Sequence, residues 1–244
     1  MRITHTKVAL IALAVAATTL AGCQADTPDP VRPGASSAPA ADGIAALSAD
    51  EILQRAKAAL TKAKSYQIKG ELEQDDENVA FDLKVSGADS MGSMSIGAAK
   101  LELLTVGGKK YMRPNRQFWI TTMGPKQGPT VAKAIGDHWV AGADKDQSFA
   151  EIFTMTSVDQ LLQPTGALSK GEEKVVGGVA AIGLKDGGDP DSVFYVATTG
   201  EPYPLQMTGK GRNLMVFSDF GATFTGIEAP AENQILDLGK LAGK

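Results

Sequence analysis

The chain is poor in the side chains from which most catalytic and redox sites are built. It has one cysteine, Cys23, and 2 histidines among 244 residues. A single cysteine excludes an intramolecular disulfide and a cysteine-rich metal site. The 24 basic residues are outnumbered by 28 acidic ones, which gives a net charge of −4. Because nucleic-acid-binding domains are usually basic, this balance argues against a nucleic-acid partner.

The chain also lacks an apolar run long enough to span a bilayer, which takes about 20 residues. Its most apolar stretch, residues 8–20, follows the basic residues Arg2 and Lys7, and a short apolar core after a basic start is typical of a signal peptide. The stretch is closed by Leu-Ala-Gly-Cys at positions 20–23, which resembles the lipobox of bacterial lipoproteins. That resemblance implies cleavage before Cys23 and a diacylglyceryl group on its thiol. The alternative is an ordinary signal peptide followed by a chance cysteine.

We therefore predict a lipoprotein signal peptide at residues 1–22. The expected partner is the cell membrane, with the chain held on its extracytoplasmic face by covalent lipid on Cys23, since two acyl chains suffice for stable anchoring. Removal of Arg2 and Lys7 with the signal peptide would take the net charge from −4 to −6.

The next segment has the composition of a linker. Residues 23–47 contain Pro28, Pro30, Pro33 and Pro39 among small and polar residues, and such a stretch buries too little apolar surface to fold by itself. We predict a lipid-anchored disordered linker at residues 23–47 and a single domain at residues 48–244.

Within that domain the hydrophobic period changes from that of a helix to that of a strand. Ser48 and Glu51 form a capping box, and apolar residues recur at helical spacing to about Lys64. Strands are predicted near residues 66–73, 79–85, 91–97, 100–106, 109–113 and 117–122, short helices between residues 129 and 162, and further strands between residues 168 and 219. Short turns between neighbouring strands imply an antiparallel sheet, and about ten strands curl rather than stay flat. The predicted class is α+β, with the helices covering one face of the sheet.

Few residues suggest catalysis. After processing, His138 is the only histidine, and no serine stands in a nucleophile-elbow pattern such as G-x-S-x-G. A solvated or locally bonded histidine is the simpler interpretation of His138. We expect no enzyme activity, no metal and no cofactor.

Two other features suggest binding. Several strands are apolar on both faces, as where Leu101 and Leu103 oppose Leu104 and Val106. This pattern is typical of a sheet covered on both sides, or of a sheet curved around an apolar cavity, for which the small residues of 92–99 would leave room.

The second feature is a basic cluster that comprises Lys109, Lys110, Arg113 and Arg116. Such a cluster is typical of a solvated hairpin. Beside an apolar pocket it would instead suit an anionic head group.

The order of the motifs resembles a known family, the actinobacterial LppX/LprG-type lipoproteins, which have the LolA/LolB-like fold. The motifs that carry the resemblance are the lipobox at 20–23, the opening amphipathic helix, Asp-His-Trp-Val at 137–140, Gly-Glu-Pro-Tyr-Pro-Leu at 200–205, Phe-Ser-Asp-Phe-Gly at 217–221, Ala-Pro at 229–230 and Ile-Leu-Asp-Leu at 235–238. The resemblance implies a curved antiparallel half-barrel sheet with helices packed on its concave face around an apolar cavity. It also implies a lipid or lipoglycan ligand and supplies no catalytic residue.

Our leading hypothesis is a cell-envelope lipoprotein that binds, and transports, a lipid or other acylated amphiphile. The alternative is a non-catalytic envelope protein-interaction module with a filled core and an unknown protein partner; a hydrolase built on His138 comes third. The predicted cavity residues are Phe81, Leu83, Leu101, Leu103, Phe118, Ile120, Val131, Ile135, Phe153 and Leu161. Arg113 and Arg116 are the predicted rim that would hold the head group.

Overall fold

The structure is a computed structural model that describes residues 42–74, 77–142, 152–153 and 158–237. The predicted signal peptide, Cys23 and residues 23–41 of the predicted linker lie outside the described residues. The described residues belong to one compact unit.

One open sheet forms the framework of this unit. Its twelve strands are β1 Ser65–Gln74, β2 Glu77–Ser86, β3 Asp89–Ile96, β4 Ala99–Val106, β5 Lys109–Pro114, β6 Trp139–Ala141, β7 Leu168–Val176, β8 Val179–Asp186, β9 Asp189–Ala197, β10 Pro204–Thr208, β11 Leu214–Ser218 and β12 Ile235–Asp237. Their order in the sheet is β12-β6-β5-β4-β3-β2-β1-β11-β10-β9-β8-β7. Two runs of neighbouring strands are thus joined where β1 pairs with β11, with Ile68 opposite Phe217.

The described residues contain few helices. They are α1 Asp42–Ala46, α2 Ala49–Ala63, α3 Arg116–Ile135 and α4 Val158–Leu161, and a 3₁₀ turn covers Glu232–Gln234. The α1 helix corrects the predicted linker, because residues 42–46 are helical and Ile44 is buried in the core. The part of the predicted linker that the structure describes is therefore part of the folded domain.

The first long helix has the predicted start and end. The side-chain oxygen of Ser48 accepts a hydrogen bond from the main-chain N–H of Glu51, and the Glu51 carboxylate accepts one from the main-chain N–H of Ser48. These two bonds satisfy donors that a helix start leaves free. Lys64 ends α2 in the left-handed conformation, and the chain enters β1 directly.

The predicted strand at residues 117–122 is wrong, because this segment is the first part of α3. Asn115 caps the helix by accepting a hydrogen bond from the main-chain N–H of Phe118 at 2.9 Å. Phe118 and Ile120, which were predicted on a cavity-lining strand, are therefore helical. The helix is interrupted at Gly124, whose φ of 79° is not helical, immediately before Pro125.

One face of the sheet, here called the inner face, carries both hydrophobic cores. The first core packs α2 on β1, β2 and β8 to β11, with Ile52, Ile68 and Val196 each at 0% exposure. The second packs α3 on β4, β5 and β6 around Met112 and Trp119. The predicted α+β fold with an open curved sheet and helices on one face is confirmed. The sheet is antiparallel except for the parallel pair β12–β6.

The opposite face, here called the outer face, is covered in part. Leu104 and Tyr111 lie opposite each other on β4 and β5 and are buried, whereas Leu214 and Val216 of β11 are 38% and 41% exposed. Strands with two apolar faces therefore occur where the outer face is also covered. The strand β11 is different, because its outer-face side chains Leu214 and Val216 stay partly exposed.

Candidate ligand-binding site

The two cores leave the middle of the inner face between them. The α2 helix lies against β1, β7, β9 and β10, and α3 lies against β4 and β5. Among the described residues, β3 contributes no side chain to either core, and it lies between β2 of the first core and β4 of the second. A seam therefore separates two packed halves of one continuous sheet.

An apolar pocket of about 70 Å³ lies in this seam. We call it the seam pocket. Leu83, Gly92 and Leu103 are in register across β2, β3 and β4, and Phe81 is opposite Met94. Because side chains alternate between the two faces of a strand, all five residues belong to the inner face. The pocket is lined by Leu72, Val79, Phe81, Asp82, Leu83, Gly92, Ser93, Met94, Leu103 and Leu161.

A glycine forms the floor of the seam pocket. A Cβ atom on Gly92 would lie 2.8 Å from the carbonyl oxygen of Asp82 and 3.0 Å from Cδ1 of Leu83. Gly70 has a related role under Phe81, since a Cβ there would lie 2.5 Å from Cζ of the ring. The ring of Phe81 thus rests over Gly70, and the side chain of Leu83 lies close above Gly92.

The predicted cavity residues separate into two groups. Phe81, Leu83, Leu103 and Leu161 line the seam pocket. The others lie in or against α3 and the second core instead: Leu101, Phe118, Ile120, Val131, Ile135 and Phe153. Phe118, Ile120, Val131 and Ile135 fall in the second group because α3, and not a strand, follows β5. Leu83 and Leu103 of the first group are also buried members of the two cores.

Other residues of the pocket were missed. Leu72, Val79 and Met94 line it, and none of them was among the predicted cavity residues. The period-2 alternation of β1 and β2 assigns Leu72 and Val79 to the same face as Phe81, so this signal was present in the sequence. Met94 lies among small residues, where the alternation is weak.

The predicted rim residues do not border this pocket. Arg113 is opposite Glu102 in the β4–β5 pair, on the outer face of the sheet. Its guanidinium forms an ion pair with the Glu102 carboxylate and lies 4.6 Å from the ring centroid of Trp139. Arg116 is exposed in the first turn of α3. The prediction failed for Arg113 because its position on β5 faces away from the seam.

A second pocket lies at the end of the seam where β2 turns into β3. Its volume is about 480 Å³, and we call it the end chamber. Burial raises the pKa of the Tyr66 phenol to about 12, with a further contribution from the negative charge of Asp159. The phenol is therefore protonated at neutral pH. The chamber is lined by Lys57, Leu60, Thr61, Lys64, Tyr66, Val85, Gly87, Ala88, Asp89, Ser90, Val158, Asp159 and Leu162.

The other candidate chemistry is sparse in the described part of the chain. Nδ1 of His138 lies 2.8 Å from the carbonyl oxygen of Ile135, a local contact at the end of α3. Among the described residues, no group of three or more His, Cys, Asp or Glu side chains is placed to hold a metal ion. Nor does any described helix combine the length and apolarity that a membrane span requires.

The fold and the seam define an α+β domain with an open sheet and two cores on one face. No protein-family model matches the chain, and no curated protein matches it. Among solved structures it is similar to LprF from Mycobacterium bovis, at 14% identity and a TM-score of 0.45, over 75% of this chain and 97% of that chain.

It is also similar to the lipoprotein LppX from Mycobacterium tuberculosis, at 12% identity and a TM-score of 0.40, over 70% of this chain and 92% of that chain. An uncharacterized conserved protein from Thermus thermophilus matches at 14% identity and a TM-score of 0.41, over 78% of this chain and 98% of that chain. At these identities, each of the three likenesses is one of fold alone.

Proposed function

We propose that the domain binds a lipid or another acylated amphiphile in the seam between its two cores. The observation that carries this proposal is the seam pocket, an apolar space between α2 and α3 with a glycine floor. Its walls are carbon from Phe81, Leu83 and Leu103, and an acyl chain gains free energy by moving from water to such surroundings. LprF and LppX have a related fold, and LppX is described as a lipoprotein.

The proposal includes a location and a role in transport. Lipid on Cys23 would hold the domain at the extracytoplasmic face of the cell membrane, where acylated molecules are present at high local concentration. A carrier tethered in this way would take its ligand from the membrane and deliver it within the envelope. The lipobox at positions 20–23 supports the anchor.

The size of the pocket favours a second candidate function. Ligand pockets commonly have volumes of about 300–1,000 Å³, and the seam pocket has about 70 Å³. An acyl chain therefore needs the walls of the seam to separate, and the wall that Leu161 supplies belongs to the short helix α4. If the seam stays closed, the core is filled and the domain is an interaction module that binds a protein partner.

Paired tryptophan substitutions test the two functions. Met94 lines the seam pocket, and Ile96 lies two residues along the same strand and face without lining it. Both are half-buried. We expect Met94→Trp to weaken the binding of a pyrene-labelled fatty alcohol by about tenfold or more, and Ile96→Trp to leave it unchanged. The measurement uses the full chain with Cys23→Ser, so that neither attached lipid nor detergent competes with the probe.

Thermal unfolding of the same variants completes the test. An open seam accepts the indole of Met94→Trp with little change in the midpoint, whereas a filled core would be overpacked at a cost of typically about 1–3 kcal/mol. Absence of probe binding to the parent chain, together with a lower midpoint for Met94→Trp, would contradict lipid binding and favour the interaction module.

A further inference from the structure

The seam pocket and the end chamber are consecutive along the same two strands. Leu83 and Gly92 line the seam pocket, and the next inward pair, Val85 and Ser90, lines the end chamber. The end of α4 borders both, with Leu161 at the seam pocket and Leu162 at the end chamber. The two pockets are therefore neighbours along β2 and β3, and we call them together the furrow; its seam end is apolar and its other end is partly polar.

The polar end carries two lysines, Lys57 and Lys64. Within the described residues, Lys57 and Lys64 form no ion pair, whereas Lys62 on the same helix pairs with Glu201 outside the chamber. An ammonium group that is not held in an ion pair can donate to an anionic ligand, and its hydrogen bonds to one are stronger than neutral ones.

Neutral donors lie beside these lysines. Among the described residues, the Tyr66 hydroxyl has no hydrogen-bond partner, although the tyrosine is only 8% exposed. Ser90 adds a second hydroxyl to the lining. The Tyr66 hydroxyl is accessible from the end chamber, so it can donate a hydrogen bond to a ligand oxygen there.

The chamber also contains two carboxylates, and they bear on the choice of ligand. Asp89 is already engaged, because its carboxylate accepts a hydrogen bond from the main-chain N–H of Gly107 at 2.8 Å. Asp159 is exposed in the first turn of α4. Among the described residues, the chamber's side-chain donors without a partner are the two ammonium groups and the hydroxyls of Tyr66 and Ser90, against one free carboxylate, that of Asp159. This excess of donors suits an anionic oxygen ligand.

We propose that the end chamber binds the phosphate or carboxylate head group of an amphiphile whose acyl tail occupies the seam pocket. This inference rests on the proposed function and adds the chemical class and the orientation of the ligand. It replaces Arg113 and Arg116 with Lys57, Lys64 and Tyr66 as the residues that hold the head group.

Competition between amphiphiles of one chain length tests the head-group site. The full chain with Cys23→Ser is loaded with the pyrene-labelled fatty alcohol and titrated, below micelle formation, with dodecyl phosphate, dodecyl maltoside or dodecyltrimethylammonium. We expect dodecyl phosphate to displace the probe at about tenfold lower concentration than the other two. Inorganic phosphate over the same range should displace nothing, since it has no tail.

Lysine variants test whether the preference for dodecyl phosphate comes from the end chamber. Lys57→Gln with Lys64→Gln should remove the advantage of dodecyl phosphate and leave displacement by dodecyl maltoside unchanged. Lys62→Gln is the matched control and should keep the full advantage. Tyr66→Phe should reduce the advantage without removing it, and circular dichroism checks that each variant is folded.

The outcomes separate the two proposals. Equal displacement by all three amphiphiles, or an equal loss in Lys62→Gln and in the double variant, would overturn the head-group site and leave lipid binding standing. Displacement by inorganic phosphate as effective as that by dodecyl phosphate would show a free-anion site and overturn the proposed orientation. Failure of every amphiphile to displace the probe would overturn lipid binding and the head-group site together.

Discussion

Asp186 connects the exit of α4 to the turn between β8 and β9. Its carboxylate accepts hydrogen bonds from the main-chain N–H of Thr165 at 2.6 Å, of Gly166 at 2.7 Å and of Gly188 at 2.9 Å. The Thr165 hydroxyl donates a further bond at 2.9 Å. These donors, the Thr165 N–H first among them, hold the pKa of Asp186 below its ordinary value. The Asp186 side chain thus holds the segment between α4 and β7 against the turn between β8 and β9.

Asp186→Ala should lower the thermal midpoint, by roughly 2–4 °C for a domain of this size. Asp189→Ala, an exposed aspartate at the start of β9, is the matched control and should leave the midpoint unchanged. The pH dependence has a defined sign. Because the pKa of Asp186 is lowered in the fold, its contribution is present above the ordinary value of 3.8 and is lost as the pH falls through the lowered value. Midpoints that differ equally at neutral pH and in strong acid would contradict this account.

Individual residues of the motifs at 200–205 and 217–221 also have structural roles. The rings of Tyr203 and Phe220 stack at 4.0 Å between centroids with an interplanar angle of 2°. Phe217 packs in the first core, and Pro204 is fully buried beside it in the sheet. The motifs that suggested the family are therefore packing positions, which explains why they predict the fold and not the ligand.

At the scale of the elements, the start of α3 depends on one asparagine. Besides capping the helix, the Asn115 side chain accepts a hydrogen bond from the main-chain N–H of Lys100 at 3.0 Å and donates one to the carbonyl oxygen of Ala98 at 2.9 Å. The first turn of α3 is thus joined to the beginning of β4. The position of the second core over the sheet follows from this junction.

Two substitutions at Asn115 that remove different numbers of its hydrogen bonds should show how much these bonds contribute to stability. Asn115→Ala removes all three bonds and should lower the free energy of unfolding by about 2 kcal/mol. Asn115→Asp keeps the acceptor for Phe118 and Lys100 and loses only the donation to Ala98, so its cost should be smaller. Chemical denaturation measures both values, and equal costs would show that the cap contributes little.

This helix also marks the limit of local prediction. Phe118, Trp119 and Ile120 have high strand propensity, and they follow a β-hairpin, so the sequence favours another strand. The cap at Asn115 and the burial of Trp119 against β4 and β5 decide for a helix instead. By contrast, α2 and β1 to β5 were predictable because their apolar periods agree with the faces that they bury.

At the scale of the whole molecule, the residues between β11 and β12 cross the sheet. This crossing segment, residues 219–234, leaves β11 beside β1 and ends at β12 beside β6. The main-chain N–H of Gly221 donates to the carbonyl oxygen of Ser65 at 2.8 Å, and the Ser65 hydroxyl donates to that of Ala222 at 2.6 Å. Further along, the Nζ atom of Lys84 lies 5.8 Å from the ring centroid of Phe224. The segment covers part of the outer face.

Phe220 is the second residue of this segment, and its loss should loosen the whole crossing. Phe220→Ala removes the stacked pair with Tyr203 and should lower the free energy of unfolding by about 1–2 kcal/mol, of which an aromatic pair accounts for roughly 0.5–1.5 kcal/mol. Phe220→Tyr keeps the stacked ring and should keep most of the stability. Hydrogen exchange should show faster exchange at Gly221 in the alanine variant. An unchanged rate there would mean that Ser65 holds the segment without Phe220.

The seam could not be predicted at this scale. Its existence depends on which strands α2 and α3 cover, and α2 covers strands from both ends of the chain because β1 pairs with β11. That pairing joins residues about 150 positions apart, and no local pattern contains it. The apolar faces of β2 and β4 were predictable from the alternation within each strand. The gap between the two helices was not predictable, because it depends on how distant strands pair.

The parallel pair β12–β6 has a consequence for the order in which the chain folds. Leu236 of β12 lies opposite Val140 of β6, so a chain that emerges from its N-terminus completes β6 long before its outer neighbour exists. Until residues 235–237 arrive, β6 is an open edge that other chains can pair with. A chain cut short before residue 235 would be expected to associate through this edge.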